Sequence, residues 1–271
     1  MPSGFKKYLT YVAVGLLLIY ISIGVYLHNI QERALFPAKT IPITQSLGFS
    51  LPHQELFLTA QDGAILSGVY FSSNESQGVV LYFHGNRENL LDMQYVAKPF
   101  VQRGYDFLAM DYRTYGKSTG ELSEENLFSD ATLFWNHLKG MGWQESDIVI
   151  YGRSIGTGIA TELAARTKPR GLLLYSPYYS IPSLISDRFA LFPVRLILSY
   201  TLNSGKNIQD VNAPILILHG DKDRVIPLSE AQKLAAIKGK LVVFEGGGHG
   251  GLQRFPLFWQ SIERFFDEIK P

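Results

Sequence analysis

The sequence predicts an α/β fold: a mostly parallel eight-stranded sheet flanked by helices, carried on an N-terminal transmembrane helix. Three observations predict it. Short β-rich runs alternate with helical windows from about residue 53 onward. The later runs (VVLYF, IVIY, LLLY, ILIL, LVVF) are almost uninterrupted apolar stretches, the pattern of strands covered on both faces. Finally, residues 8–27 read YLTYVAVGLLLIYISIGVYL without a charge, and about 20 apolar residues cross a bilayer core of about 30 Å.

The elements follow in order. Tyr8, Tyr11, Tyr20 and Tyr26 sit mostly towards the ends of the first apolar run, where amphipathic rings favour the membrane interface. A cleaved signal peptide would have an apolar region of about 7–15 residues ending in small residues. This run is longer and ends Tyr26-Leu27-His28-Asn29. Residues 1–30 therefore read as an uncleaved signal-anchor. Lys6 and Lys7 precede the span, which favours a cytoplasmic N-terminus and a body on the translocated side, periplasmic, lumenal or extracellular.

Residues 31–52 form a linker punctuated by Phe36-Pro37 and Leu51-Pro52, and residues 53–271 form the folded domain. Strands are expected at 55–59 and 64–71, joined at Asp62-Gly63 as a hairpin. Further strands follow at 79–83, 105–110, 148–151, 171–175, 215–218 and 241–244. Helical windows lie at 90–102, 124–138, 155–166, 229–237 and 257–269. Alternation of this kind implies parallel strands with right-handed crossovers. One connection, about 176–213, is abnormally long. Its segment IPSLISDRFALFPVRLILSY is too apolar for a solvated loop, and it is expected to hold one or two short helices as a lid beside the carboxyl ends of the strands.

Composition narrows the function. With 25 basic against 24 acidic side chains and a net charge of +1, binding nucleic acid by bulk electrostatics is excluded. The chain has no cysteine, which excludes disulfides, thiolate metal sites, a cysteine nucleophile and S-acylation. Pro2 stands where N-myristoylation requires glycine. Asn74-Glu75-Ser76 fits a glycosylation acceptor, relevant only in a eukaryotic secretory route.

The pattern G-x-S-x-G occurs twice, around Ser118 and around Ser154. A serine nucleophile of this type sits on a sharp turn directly between a buried strand and a helix. DIVIY, GRSIG and TGIATELAAR supply strand, turn and helix around Ser154. Ser118 is separated from its strand by Asp111-Tyr-Arg-Thr-Tyr and followed by Glu121-Leu-Ser, so its loop is glycine-rich without being an elbow. Gly116-Lys117-Ser118 also mimics the end of a phosphate-binding loop, but Asp111 occupies the place of that loop's first glycine.

The ordered segments DGAILSGVYF, VVLYFHGN, FLAMDYRTYGKSTG, VIYGRSIGTG, ILILHGDKDRVIP and GGGHG resemble the α/β-hydrolase superfamily. More narrowly, they are similar to single-pass, membrane-anchored serine hydrolases related to depalmitoylating and serine-aminopeptidase-like enzymes. The resemblance covers about residues 52–270. One departure is Thr114, where relatives have glycine in DYRGYG.

A serine nucleophile needs a histidine base oriented by a carboxylate. Of six histidines, His28 borders the apolar span, His53 opens a strand and His137 lies in a helix. His84 and His219 end strands in His-Gly pairs and shape loops. His249, in the glycine-rich loop before the last helix, is the base by chain order and by the resemblance. The acid belongs after the penultimate strand, where Asp221 and Asp223 both stand; Asp210 precedes that strand. The resemblance places the acid at Asp223. The N–H of Ile155, next to the nucleophile, is one oxyanion donor. The second belongs to the loop His84-Gly85-Asn86, and the resemblance assigns it to Asn86. Arg87 and Arg153 are basic neighbours that would meet an anionic substrate or else pair with local carboxylates.

The expectation is a serine hydrolase cleaving an ester or thioester of an acylated or lipophilic small molecule through a Ser154 acyl-enzyme. No metal, organic cofactor or nucleic acid is expected, and the membrane is the partner of the N-terminal helix. A serine peptidase is the alternative, favoured by acidic residues lining the lid, such as Asp187. A non-enzymatic membrane scaffold is the second alternative; its mark would be a broken triad.

Overall fold

The computed structural model describes residues 3–186 and 189–270. Strands β1 (His53–Thr59), β2 (Ile65–Phe71), β3 (Val79–Phe83), β4 (Asp106–Met110), β5 (Ile148–Arg153), β6 (Gly171–Tyr175), β7 (Ile215–Gly220) and β8 (Lys240–Phe244) form one sheet. Its order is β1-β2-β4-β3-β5-β6-β7-β8. The pairs β1–β2 and β2–β4 are antiparallel and all later pairs are parallel.

Helices are α1 (Ser3–Leu35), α2 (Met93–Val101), α3 (Glu124–Gly140), α4 (Gly156–Arg166), α5 (Ile181–Ser186), α6 (Val194–Ile197), α7 (Ser204–Asn207), α8 (Leu228–Ala235) and α9 (Pro256–Glu268). The Ser123 side chain caps α3 by accepting from the Asn126 N–H at 3.0 Å, and Pro256 opens α9, where its missing N–H costs nothing. The helix expected from residue 90 begins instead as a single 3₁₀ turn, Leu90–Asp92.

Because side chains alternate along a strand, the sheet buries two apolar faces. Leu81, Phe83, Ile150 and Leu172 pack with Phe134 of α3 and Ile159 of α4. Val80, Tyr82, Val149 and Leu173 pack with Phe100 of α2 and Phe265 of α9. The chain leaves β3 for α2 on one face, then returns past β3 to β5 and leaves that strand for α4 on the other. The segments that follow these two neighbouring strands therefore diverge, and a crevice opens at their carboxyl ends.

At the N-terminus the helix passes the expected boundary of the anchor at residue 30, and the segment expected as a linker is in part packed down. Helix α1 continues through Leu35, because Pro37 forces only residue 36 out of the helical region. It is long and apolar enough to cross a membrane over Lys7–Leu35, with mean hydropathy 2.0 and none of that window buried. The following segment is packed down: Phe36, Ile41 and Leu47 are buried. Phe36 meets Tyr200 at 5.2 Å between ring centroids. The Ile41 N–H donates to the Gly116 carbonyl at 2.7 Å, and Gly116 N–H donates to Lys39 at 2.9 Å.

Among the described residues the long connection holds three short α-helices, α5 to α7, where one or two were expected. Two carboxylates tie it down: Glu124 accepts from the Thr201 hydroxyl and the Leu202 N–H at 2.8 Å each, and buried Glu230 accepts from the Tyr179 N–H at 2.9 Å and the Ser183 hydroxyl at 3.0 Å. Asp187, the acidic residue singled out for the peptidase alternative, lies outside the described residues.

Candidate active site

Ser154 stands between β5 and α4 with φ +52°, a left-handed conformation that L-residues avoid. Glycine on both sides makes the turn possible by close approach. A Cβ at Gly152 would lie 2.7 Å from the Gly156 carbonyl oxygen, and a Cβ at Gly156 would lie 2.3 Å from that of Phe83. The start of α4 thus rests directly on the end of β3. This brings the N–H of Ile155 beside the loop after β3.

His249 comes from the loop between β8 and α9, and Asp223 from the turn after β7. His249 Nε2 lies 2.9 Å from Ser154 Oγ, and His249 Nδ1 lies 2.8 Å from Asp223 Oδ2. Asp223 Oδ1 accepts from the N–H groups of Val225 and Ile226 at 2.8 and 2.9 Å. Burial opposes the charge on Asp223, but these hydrogen bonds, that from His249 foremost, outweigh it and hold the carboxyl below its ordinary value. With Nδ1 donating to Asp223, Nε2 is left to accept the Ser154 proton. The Ser176 hydroxyl, 3.4 Å from the His249 carbonyl, steadies the loop.

The other sequence candidates fall into place around this relay. Asp221 Oδ1 accepts from the Gly246 N–H at 2.7 Å, and Asp210 is exposed in a 3₁₀ turn before β7. Ser118 Oγ accepts from the Ser67 N–H at 2.8 Å and donates to the Asp111 carbonyl at 2.9 Å, a buried structural pair of bonds. His28 and His53 are exposed, His137 is half-buried, and all three lie away from Ser154: His28 meets the Ile197 carbonyl, His53 meets the Leu51 carbonyl, and His137 is on α3. Arg153 pairs with Glu88 and stacks over Tyr175 at 5.1 Å. Arg87 is exposed and makes no ion pair among the described residues. Among those residues no three His, Asp or Glu side chains converge as a metal site requires.

Asn86 is half-buried, and among the described residues neither its N–H nor that of Ile155 donates to a protein acceptor. Its loop is buttressed from a direction the sequence did not advertise. The Tyr112 hydroxyl donates to the His84 carbonyl at 2.7 Å and the Tyr115 hydroxyl to the Asn86 carbonyl at 2.8 Å. The Asn86 side chain donates to the Leu35 carbonyl, the end of α1, at 3.0 Å. Thr114, between these tyrosines, keeps φ +72°, so the chain adopts a glycine-like turn with a β-branched residue. Fully buried His84 lies 3.3 Å from Asp111. His219 backs the acid at 3.4 Å from Asp223 Oδ2, and burial holds its imidazole below the ordinary value and neutral.

Comparison with known proteins bears on the fold and the family. A family model described as serine aminopeptidase S33, a hydrolase family, matches residues 74–204. An uncharacterized protein of Mycobacterium tuberculosis is 28% identical over 246 residues, 88% of each chain. Another from Acanthamoeba polyphaga mimivirus is 26% identical over 199 residues, 66% of this chain and 67% of its own. Among solved structures, an esterase of Pyrococcus furiosus superposes with TM-score 0.69 at 20% identity, covering 86% of this chain and 97% of that one. An alpha-beta hydrolase of Vibrio vulnificus gives 0.67 at 25% identity, covering 79% and 80%.

Proposed function

We propose, from the α/β-hydrolase fold that the chain shares with its structural neighbours, that it is a serine hydrolase cleaving carboxylic esters or thioesters through a Ser154 acyl-enzyme. The observation that carries the reading is the relay Ser154–His249–Asp223, with successive separations of 2.9 and 2.8 Å. Ser154 Oγ attacks the substrate carbonyl carbon while His249 Nε2 takes its proton. The tetrahedral oxyanion is met by the N–H groups of Ile155 and Asn86. Its collapse breaks the bond to the leaving alkoxide or thiolate, which receives the proton from His249. Water then attacks the acyl-enzyme, again giving its proton to Nε2, and the carboxylic acid leaves as Ser154 is restored.

Helix α1 is the proposed anchor, with the N-terminus cytoplasmic and the body on the translocated side; N-terminal sequencing and protease access in sealed vesicles test both points. A peptidase is the second reading, favoured by the description of the matching family model. Profiling the full-length protein on p-nitrophenyl esters of graded length beside aminoacyl amides separates the two. Ser154→Ala is expected to abolish labelling by a fluorophosphonate probe, and Ser118→Ala to leave the site of labelling unchanged. Labelling that survives Ser154→Ala and is lost in a folded Ser118→Ala protein overturns the assignment.

A further inference from the structure

We infer that α1 and the lid enclose a path for a long acyl chain from the bilayer to Ser154, so that the protein's own anchor is a wall of its substrate site. The inference rests on the hydrolase and anchor readings above and names the acyl group of the substrate. A cavity of about 150 Å³ lies between the last turns of α1 and the lid, bordered by Leu27, Ile30 and Leu35 on one side and Ile181, Phe189 and Val194 on the other. Among the described residues its one polar lining side chain is Gln31, and that amide is engaged elsewhere. Gln31 Nε2 donates to the His28 carbonyl at 2.8 Å, and Oε1 accepts from the Ser199 N–H at 2.7 Å. The space is therefore suited to hydrocarbon and to nothing that hydrogen-bonds.

The path has two ends. A second cavity of about 350 Å³ continues along the same seam between Tyr20, Gly24 and Phe192, and Ile197 borders both cavities. At the inner end stands Leu35, whose carbonyl accepts from Asn86, the residue offering the candidate oxyanion N–H. At about 1.5 Å per residue, the helix between Tyr20 and Leu35 runs about 22 Å, the reach of a long acyl chain. The outer end enters the apolar span of α1: Phe192 stacks on Tyr20 with ring centroids 4.7 Å apart, and the Tyr20 hydroxyl donates to the Leu191 carbonyl at 2.8 Å. A lid held at that height lies in the membrane boundary. Leu191 and Leu196 on it are 84% and 86% exposed, unfavourable in water and favourable against lipid.

The test uses the full-length chain in phospholipid nanodiscs with a long-chain fatty acid bearing a mid-chain diazirine. Crosslinks are expected on residues 27–35 and on the lid, and they should fall in Ala34→Trp and in the milder Ala34→Leu, with thermal melting reporting that each variant folds. Each methylene removed from water contributes about four-fold to binding. The ratio of kcat/KM for long over short p-nitrophenyl esters should therefore drop at least about ten-fold in Ala34→Trp. It should not change in Leu16→Trp, on an exposed turn of α1 outside the seam. Crosslinks spread evenly around α1, or an unchanged ratio in a folded Ala34→Trp protein, overturn the inference while leaving an ester-cleaving enzyme in place. A protein that cleaves no ester and takes no fluorophosphonate at Ser154 instead overturns the hydrolase reading, and the crosslink map then decides the seam alone.

Discussion

Replacing Asp223 by asparagine isolates what the acid does, because the surroundings dictate how the amide must sit. Asp223 Oδ1 accepts two N–H groups, from Val225 at 2.8 Å and Ile226 at 2.9 Å. An asparagine that kept its oxygen there would turn its NH₂ towards His249 Nδ1, 2.8 Å away. Flipping the amide would instead set NH₂ against both backbone donors, leaving two of them unpaired, each at about 1–3 kcal/mol. The first orientation therefore prevails. It obliges the imidazole to carry its proton on Nε2, the atom that must accept the proton of Ser154. The same wrong-tautomer effect at a triad carboxylate costs about 10⁴ in turnover, about 5.5 kcal/mol of transition-state stabilisation. Asp221→Asn is the matched control. Its one bond, from the Gly246 N–H at 2.7 Å, survives on an amide oxygen, so turnover should stay within about three-fold, as expected where the bond is kept. The assay is kcat/KM on p-nitrophenyl butyrate beside the rate of fluorophosphonate labelling. Losses within ten-fold of each other for the two variants would refute the reasoning.

Three further outcomes follow from the geometry. Thr114→Gly should raise stability by about 1–2 kcal/mol, since a non-glycine residue at φ +72° bears that strain; a melting temperature that fails to rise by about 2–4 °C per kcal/mol refutes it. The depressed carboxyl of Asp223 contributes stability that is fully present above the unfolded value of about 4 and is lost as pH falls through the lower folded value. The melting-temperature gap between wild type and Asp223→Asn should accordingly be widest near neutrality and narrow as pH falls below the unfolded value, and a gap that widens in acid refutes the sign. Removing residues 1–18, before the seam begins at Tyr20, should leave hydrolysis of short esters within about three-fold, whereas removing 1–35 deletes the Leu35 acceptor of Asn86 and should lower it at least about ten-fold, the effect of one unpaired polar group; equal rates for both truncations would refute a role for α1 at the site.

The parts legible from sequence are those where burial is complete. VVLYF and GLLLY end where the strands end, because a strand covered on both faces shows no polar interruption until it leaves the sheet. The juxtaposition of Ser154, His249 and Asp223 was also readable: strand, turn and helix are contiguous at Ser154, chain order points to His249, and the resemblance chooses Asp223 over Asp221. Contacts made at long separation left no such trace. Arg153 finds Glu88 65 residues away, and Gln31 finds Ser199 168 residues away. Charged Glu32 and Arg33 follow the apolar run, yet the helix continues through them to Leu35 and Glu32 accepts from Tyr200 at 3.2 Å. Lid helices of four to six residues are too short for a helical period to register. The tyrosines of DYRTYG were visible as a motif, but their hydroxyls act on a loop 28 and 29 residues earlier.

Much of the backbone strain is gathered around one crevice. Of the four non-glycine residues with positive φ among the described residues, Ser154 is the nucleophile candidate, Ser176 holds the His249 carbonyl and Thr114 sits between the tyrosines that brace Asn86, while Leu202 lies on the long connection. Each such residue costs about 1–3 kcal/mol and persists only where the surroundings over-determine it. At Ser154 they do: its N–H donates to the Tyr175 carbonyl at 2.9 Å, and Gly152 and Gly156 lock the turn against β3 and α4. Ser176 is held the same way, by its N–H on the Leu218 carbonyl at 2.8 Å. Two neighbouring strand ends therefore fix nucleophile and base. The start of the long connection braces them as well, the Tyr178 hydroxyl donating to the Ile155 carbonyl at 3.0 Å, while among the described residues α1 approaches the relay through the Asn86 loop. Changes in α1 should thus act on which acyl chain is accepted and on the oxyanion side of the site, leaving the Ser154–His249–Asp223 geometry in place.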